Sequence, residues 1–348
     1  MPETMRAGVY HPGEGLRLEE RPVPQPGRGQ LQVQVQAVGI CGSDIHYYKD
    51  GHIGDWVIER PHVLGHEFSG VVTAIGEGAL GFELGDRVAI EPCLPCGACG
   101  ACRAGRYNVC TNLRFIGSPH TDGAFAQYVI VQPRFAHRLP PSLDFELGAL
   151  VEPTAVAVQA VRRSQLRLGQ TVAIVGAGPI GLLTLAVALA SGASAVFVSD
   201  VNARRLEKAR ELGATAVLDA RSNAVEAVME LTDGRGADVV FEAVGSAATI
   251  DQAVAMAAPG GRLTVVGMSS QAVVPFNFLA LQAKELDLAS VWLYLDAFPT
   301  AIALLASGRV DAGKIVTHRF PVAEIVAAMD MAASGRDSPI KVIVGMQP

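Results

Sequence analysis

Val172–Ala190 reads VAIVGAGPIGLLTLAVALA, and no charged residue occurs anywhere between Arg167 and Asp200. A membrane-spanning helix needs about 20 apolar residues in a row. Here Gly176, Gly178, Pro179 and Gly181 interrupt the run after the strand-like Val172–Val175. A short apolar strand, a glycine turn and an apolar helix are the pattern of a buried βαβ unit. In Gly176-Ala-Gly178-Pro179-Ile180-Gly181 the first glycine permits a tight turn, and the second lets backbone approach a pyrophosphate. The third lets helix pack on strand. The helix N-terminus then offers free N–H groups and a positive dipole to phosphates. Asp200 ends the next β-rich run, 19 residues beyond Gly181, where a carboxylate can accept from ribose hydroxyls and repel a 2′-phosphate. Dinucleotide binding is expected, with NAD preferred over NADP, although Arg204 and Arg205 leave room for a phosphate.

Outward from this unit, Val172–Val175, Ala195–Ser199, Val239–Phe241 and Leu263–Val266 alternate with helical periodicity at Leu182–Ala190, Ala203–Leu212, Ala224–Leu231 and Ile250–Ala257. Such alternation predicts a doubly wound α/β parallel sheet. The first 150 residues differ in texture. Leu31–Ala37 alternates with period two, Phe68–Ile75 and Arg87–Glu91 are β-branched, and clustered prolines mark turns. After about Ala289 the pattern is mixed again, ending on a strand at Ile340–Val344. With half the residues apolar and 18% charged over 348 residues, the chain can bury a core and is not intrinsically disordered. A net charge of -6 without a Lys/Arg cluster argues against a nucleic-acid partner. The opening MPETMRAGVYHPGEG has no cationic stretch followed by an apolar run. A cytoplasmic protein without membrane contact is expected.

Five of the six cysteines fall within eighteen residues. Cys96-x2-Cys99-x2-Cys102-x7-Cys110 presents four thiolates, enough to close a tetrahedral zinc. Cys93 continues the three-residue spacing backwards, so spacing equally allows Cys93, Cys96, Cys99 and Cys102. Cys41-Gly-Ser43-Asp-Ile-His46 and Gly65-His66-Glu67 supply a second donor set: a thiolate, an imidazole and a carboxylate. Three protein ligands with an open position distinguish a catalytic zinc from a structural one. Taken alone, Cys41 is more readily a buried core residue and His66-Glu67 a turn pair. Glu152, in Ala149-Leu-Val-Glu152-Pro153, is an acid at the seam between the two textures, solvated or lining a cleft.

Gly65-His66-Glu67-x2-Gly70-x5-Gly76 resembles the signature of the zinc-dependent medium-chain dehydrogenases/reductases. Cys41-Gly-Ser-Asp-Ile-His46-Tyr47-Tyr48, Val151-Glu152-Pro153 and Thr317-His318-Arg319-Phe320-Pro321 resemble its polyol (sorbitol and xylitol) dehydrogenase branch. The resemblance runs from about Met5 to Val344. It implies a GroES-like, β-rich catalytic domain in two segments, 1–153 and 292–348, around a Rossmann domain at 154–291. It implies two zinc ions, one catalytic on Cys41, His66 and Glu67 with Glu152 ligating in some states, and one structural on Cys96, Cys99, Cys102 and Cys110. Ser43 and His46 match a proton relay, and Tyr47, Phe115, Glu152 and Tyr294 match substrate positions. Gly176, Gly178, Pro179, Ile180, Gly181, Asp200, Arg205, Val266, Gly267, Met268, Trp292, Leu293 and Tyr294 match cofactor positions. The branch usually carries arginine where this chain has Leu293. The activity implied by the resemblance is NAD-dependent oxidation of a polyol to a ketose, of the L-iditol 2-dehydrogenase type, by a homotetramer; the alternative within the family is a zinc dehydrogenase of threonine, glucose or a simple secondary alcohol.

Overall fold

The computed structural model describes residues 2–269 and 271–347. The chain divides into two compact units, one of residues 1–152, 301–306 and 316–348, the other of residues 153–300 and 307–315.

The first unit is built on a seven-stranded sheet. Strand β1 (Leu31–Gly39) lies at its centre, antiparallel to β2 (Glu67–Ile75) on one side and to the C-terminal strand Lys341–Gly345 on the other. The alternation at Leu31–Ala37 places Leu31, Val33 and Val35 in the core, each fully buried. The register sets Gly39 opposite both Glu67 and Ile343, which matters for the site. Helix α1 (Gly42–Asp50) follows β1 directly and was not expected in a region of strands and loops. Its start is fixed by Asp44, whose Oδ2 accepts from the Cys41 backbone N–H at 2.9 Å, one of the orphan donors of a helix N-terminus.

The second unit holds a six-stranded parallel sheet, so the fold class is as expected, with one Rossmann-type doubly wound unit and one β-rich unit. Its central strand β3 (Thr171–Val175) leads through the glycine turn into α2 (Pro179–Ala190). On one side lie β4 (Ala195–Asp200) and then Ala216–Asp219. On the other lie β5 (Ala237–Glu242), Ala257–Val265 and Asp287–Ser290. The apolar run is therefore broken as anticipated, and among the described residues no helix is long and apolar enough to cross a membrane. Helix α2 begins at Pro179, three residues before the periodicity becomes visible, because proline at the first helical position lacks only an N–H that would be unpaired anyway. Residues 292–300, expected with the last segment of the β-rich unit, pack within the second unit instead. Tyr294 meets Phe298 edge-on at 5.3 Å, and Arg162 donates to the carbonyls of Leu295 and Asp296.

Candidate active site and metal centres

The ligand atoms of Cys41, His66 and Glu67 all lie within 4.8 Å of one another. Cys41 precedes α1, and His66 and Glu67 sit at the start of β2, so the sheet end brings together residues more than twenty apart in sequence. His66 is 6% and Glu67 1% exposed. The residue that ties the set together is Asp44, fully buried and not singled out from the sequence. Besides capping α1, its Oδ1 accepts from the Gly65 N–H at 3.0 Å and lies 3.6 Å from His66 Nδ1. A carboxylate opposite Nδ1 favours the tautomer protonated there, which leaves Nε2 for a metal. Burial opposes a charge on His66, but Asp44 and Cys41 outweigh it and raise its pKa well above the ordinary value.

Lys341 is the second unanticipated member. Its ammonium is 2% exposed and donates to both Glu67 oxygens, at 2.8 and 2.7 Å, and to the Ile40 carbonyl at 3.1 Å. Burial would lower its pKa, yet Glu67, Cys41 and Glu152 raise it. The signal was a lone lysine opening the apolar run Ile340–Val344, a residue type almost never buried unless paired. Asp44, Glu67 and Glu152 are the buried acids of this region, and Lys341 offsets the charge of Glu67. A thiolate, an imidazole and a carboxylate gathered in a buried pocket suit zinc.

Around the set, Phe115 stacks edge-on against His66 at 5.2 Å. Tyr47 is 4% exposed, its pKa raised by burial and by Asp44, so it stays a neutral phenol. Ser43 and His46 lie three apart on α1, hence on one face. Both are half-buried, and His46 Nδ1 is 3.6 Å from Asp50 at the helix end. Glu152 is 5% exposed and stands outside the three-residue cluster.

Cys96, Cys99, Cys102 and Cys110 form the second cluster. Cys93 stays out of it: it is buried in the strand pair Cys93–Leu94 with Arg114–Phe115, directly opposite Phe115. Backbone N–H groups point at the sulfurs, from Cys96 and Asn112 to Cys110, Cys99 to Cys96 and Cys102 to Cys99, at 3.3–3.4 Å. Backbone donors from Cys102 and Thr111 pull the Cys99 thiol down to about 5, whereas burial and its sulfur neighbours push Cys102 up to about 12. Four thiolates cannot all ionise here without a cation, and a tetrahedral zinc fits this donor set. The lobe is tied to the sheet by Tyr107, whose hydroxyl donates to buried Glu91 at 2.7 Å. The strand pair that closes the lobe also carries Phe115, so the order of the lobe sets the ring against His66.

In the second unit Gly176 adopts φ +100°, and a side chain on Gly181 would overlap the Gly176 carbonyl, whereas Gly178 faces open space. Pro179 and Ile180, half-buried, open α2 beside that space. Asp200, at the end of β4, accepts from the Ala177 N–H at 2.6 Å and from the Asn202 N–H at 2.8 Å, with the Arg205 guanidinium 4.0 Å away. Val266 and Gly267 donate to the Glu242 carbonyl at the end of β5, followed by exposed Met268. Trp292 is 48% exposed, and Leu293 has φ +54°. Tyr294 is wholly enclosed, so in this conformation it supports the 292–294 loop and shows no face to a ligand.

Residues 27–141 match the alcohol dehydrogenase GroES-like domain, and residues 179–307 match the zinc-binding dehydrogenase domain. The chain is 40% identical to the sorbitol dehydrogenase of Bacillus subtilis (strain 168), over 99% of this chain and 98% of that protein. It is 38% identical to the sorbitol dehydrogenase of Homo sapiens, over 96% and 94%. The crystal structure of 2R,3R-butanediol dehydrogenase from Bacillus subtilis superposes with a TM-score of 0.90 at 33% identity, covering 99% of this chain and 100% of that one. The chain therefore belongs to the zinc-dependent medium-chain dehydrogenases, in the branch that holds the sorbitol dehydrogenases.

Proposed function

We propose that this protein oxidises a polyol such as sorbitol or xylitol to the ketose with NAD⁺, on a catalytic zinc held by Cys41, His66 and Glu67. The observation that carries the reading is that these donor atoms gather within 4.8 Å as three protein ligands, beside a separate four-cysteine cluster. The sorbitol dehydrogenase relatives support the polyol as substrate class. When bound, zinc supplies Lewis acidity at the substrate oxygen and NAD⁺ accepts the hydride. The chain's own groups do the rest. Phe115 and neutral Tyr47 keep water from the reacting end, and the Tyr47 hydroxyl and Glu152 offer hydrogen-bond partners to a neighbouring hydroxyl. Ser43 Oγ takes the alcohol proton and passes it to His46, whose half-exposed ring delivers it to solvent. The second zinc sits on Cys96, Cys99, Cys102 and Cys110 and staples the lobe. A cytoplasmic homotetramer completes the reading.

A panel of xylitol, sorbitol, threonine and 2-propanol tests the substrate class. The polyols are expected to give the highest kcat/KM, and a higher value for 2-propanol would sink the assignment. Leu293 refines it. Arginine there would add a cationic donor, which leucine replaces with an apolar surface, so distal hydroxyls are recognised less strictly. Several pentitols and hexitols should be accepted. Leu293→Arg should sharpen the preference among them by up to roughly tenfold, the worth of one charge-assisted hydrogen bond. An unchanged ratio of kcat/KM values across the panel would remove Leu293 from the substrate site.

Asp200 supports NAD⁺ over NADP⁺, since a carboxylate at the end of β4 faces the position of a 2′-phosphate. Asp200→Ser should narrow the preference by weakening NAD⁺ and relieving repulsion of NADP⁺. Its loss also frees the Ala177 N–H, so both KM values are read. Equal efficiency of the wild type with the two cofactors would refute the ribose-acid role.

A further inference from the structure

Glu67 meets the metal pocket and a buried cation with the same carboxylate. Lys341 Nζ spends all three of its protons on Glu67 Oε1, Glu67 Oε2 and the Ile40 carbonyl, so the ammonium is fixed and fully satisfied. The contact crosses the sheet. Lys341 opens the C-terminal strand, Glu67 opens β2, and β1 runs between them. It is possible because β1 has Gly39 opposite Glu67: a Cβ there would overlap Glu67 Oε2. Three strands and one missing side chain thus place a positive charge directly behind a proposed zinc ligand.

Resting on the zinc reading above, we infer that Lys341 is a positioning residue that holds Glu67 as a weak, releasable ligand and so keeps a coordination position open for the substrate oxygen. The physical reason is charge. A carboxylate has about four lone-pair sites, and those engaged by an ammonium are not available to a metal. Paired with Lys341, Glu67 brings almost no net charge to the pocket, which leaves Cys41 and His66 as the firm ligands. Without Lys341, Glu67 is a full anion in a dry site, where opposite charges attract strongly, and it closes on the metal. A cross-strand staple with no metal role would stabilise the sheet and leave coordination alone.

The test loads the full-length protein with cobalt and takes difference spectra against Cys41→Ala, which retains only the cobalt of the cysteine lobe. Lys341→Met is expected to shift the visible cobalt bands and to slow release to a chelator at least tenfold, with kcat lowered. Lys341→Arg, which keeps the charge, should restore the wild-type spectrum. Unchanged bands with equal or faster release would overturn the inference and leave only a staple.

Because an unpaired buried Glu67 can prevent folding, the double variant Lys341→Met/Glu67→Gln gives an independent reading. With both charges gone, cobalt affinity should stay within about tenfold of wild type, whereas Glu67→Gln alone, leaving the ammonium unpaired, should lose it. If the double variant loses cobalt as fully as Glu67→Gln, Glu67 is a firm ligand irrespective of Lys341 and the inference fails. A wild type that takes up no cobalt beyond the cysteine lobe would instead defeat the catalytic-zinc reading itself, and this inference with it.

Discussion

Cys41→Ala gives a folded protein with one fewer zinc per chain and a kcat/KM for polyols lowered at least roughly a thousandfold. The fold survives because the bond that starts α1 runs from Asp44 to the Cys41 backbone N–H, which alanine retains. The sulfur itself is only half-buried, so its removal opens no core cavity. Activity does not survive, because a Lewis acid contributes several kcal/mol to charge development at the substrate oxygen, and each ~1.4 kcal/mol is a factor of ten in rate. Thermal melting, zinc content and the rate of NADH formation are read on one preparation. A variant within tenfold of wild-type activity would remove Cys41 from the catalytic set.

Cys96→Ser acts in the opposite way, on stability first. Zinc in small thiolate sites contributes on the order of 10 kcal/mol of binding free energy, coupled to folding, and a whole domain is stable by only about 5–15 kcal/mol. With one ligand replaced by a hydroxyl, the lobe loses its cation. The remaining sulfurs reprotonate, and only contacts such as Tyr107 to Glu91 hold the lobe to the sheet. Expected are poor soluble yield and a melting temperature lowered by more than ten degrees, on the scale of about 2–4 °C per kcal/mol for domains of this size. Any soluble fraction should also show impaired catalysis, since Phe115 is paired with Cys93 at the base of the lobe and stacks on His66. Unaltered melting with full zinc content would show that the lobe needs no metal.

What could be read in the sequence was local backbone chemistry. The glycine turn at Gly176–Gly181 and the place of Asp200 at a strand end each follow from a requirement of a few adjacent residues, so spacing alone located them. Spacing could not choose between Cys93 and Cys110, because the three-residue rhythm runs through Cys93 and breaks before Cys110. The choice depends on strand pairing, which buries Cys93 against Phe115 and turns Cys110 toward backbone donors. Asp44 was not legible: the helix that it caps was not expected, and its reach to Gly65 and His66 requires the sheet. Lys341 was illegible in its role. It lies 274 residues from Glu67, and only the strand order, with a glycine between them, makes the two neighbours. The segment 292–300, a loop running into the helix Phe298–Ala306, shows the same limit, since a residue's match to a cofactor position does not reveal that Tyr294 is enclosed behind Phe298.

If this protein transfers the carbinol hydrogen of a polyol to NAD⁺ as hydride, the hydrogen itself can be followed. The zinc-loaded protein is incubated with NAD⁺ and a polyol deuterated at the oxidised carbon, the mass of the NADH is measured and the sugar is identified. The expected result is NADH carrying one deuterium, with an equivalent amount of ketose. Unlabelled NADH, or no NADH from any polyol while a simple alcohol is oxidised, would contradict it.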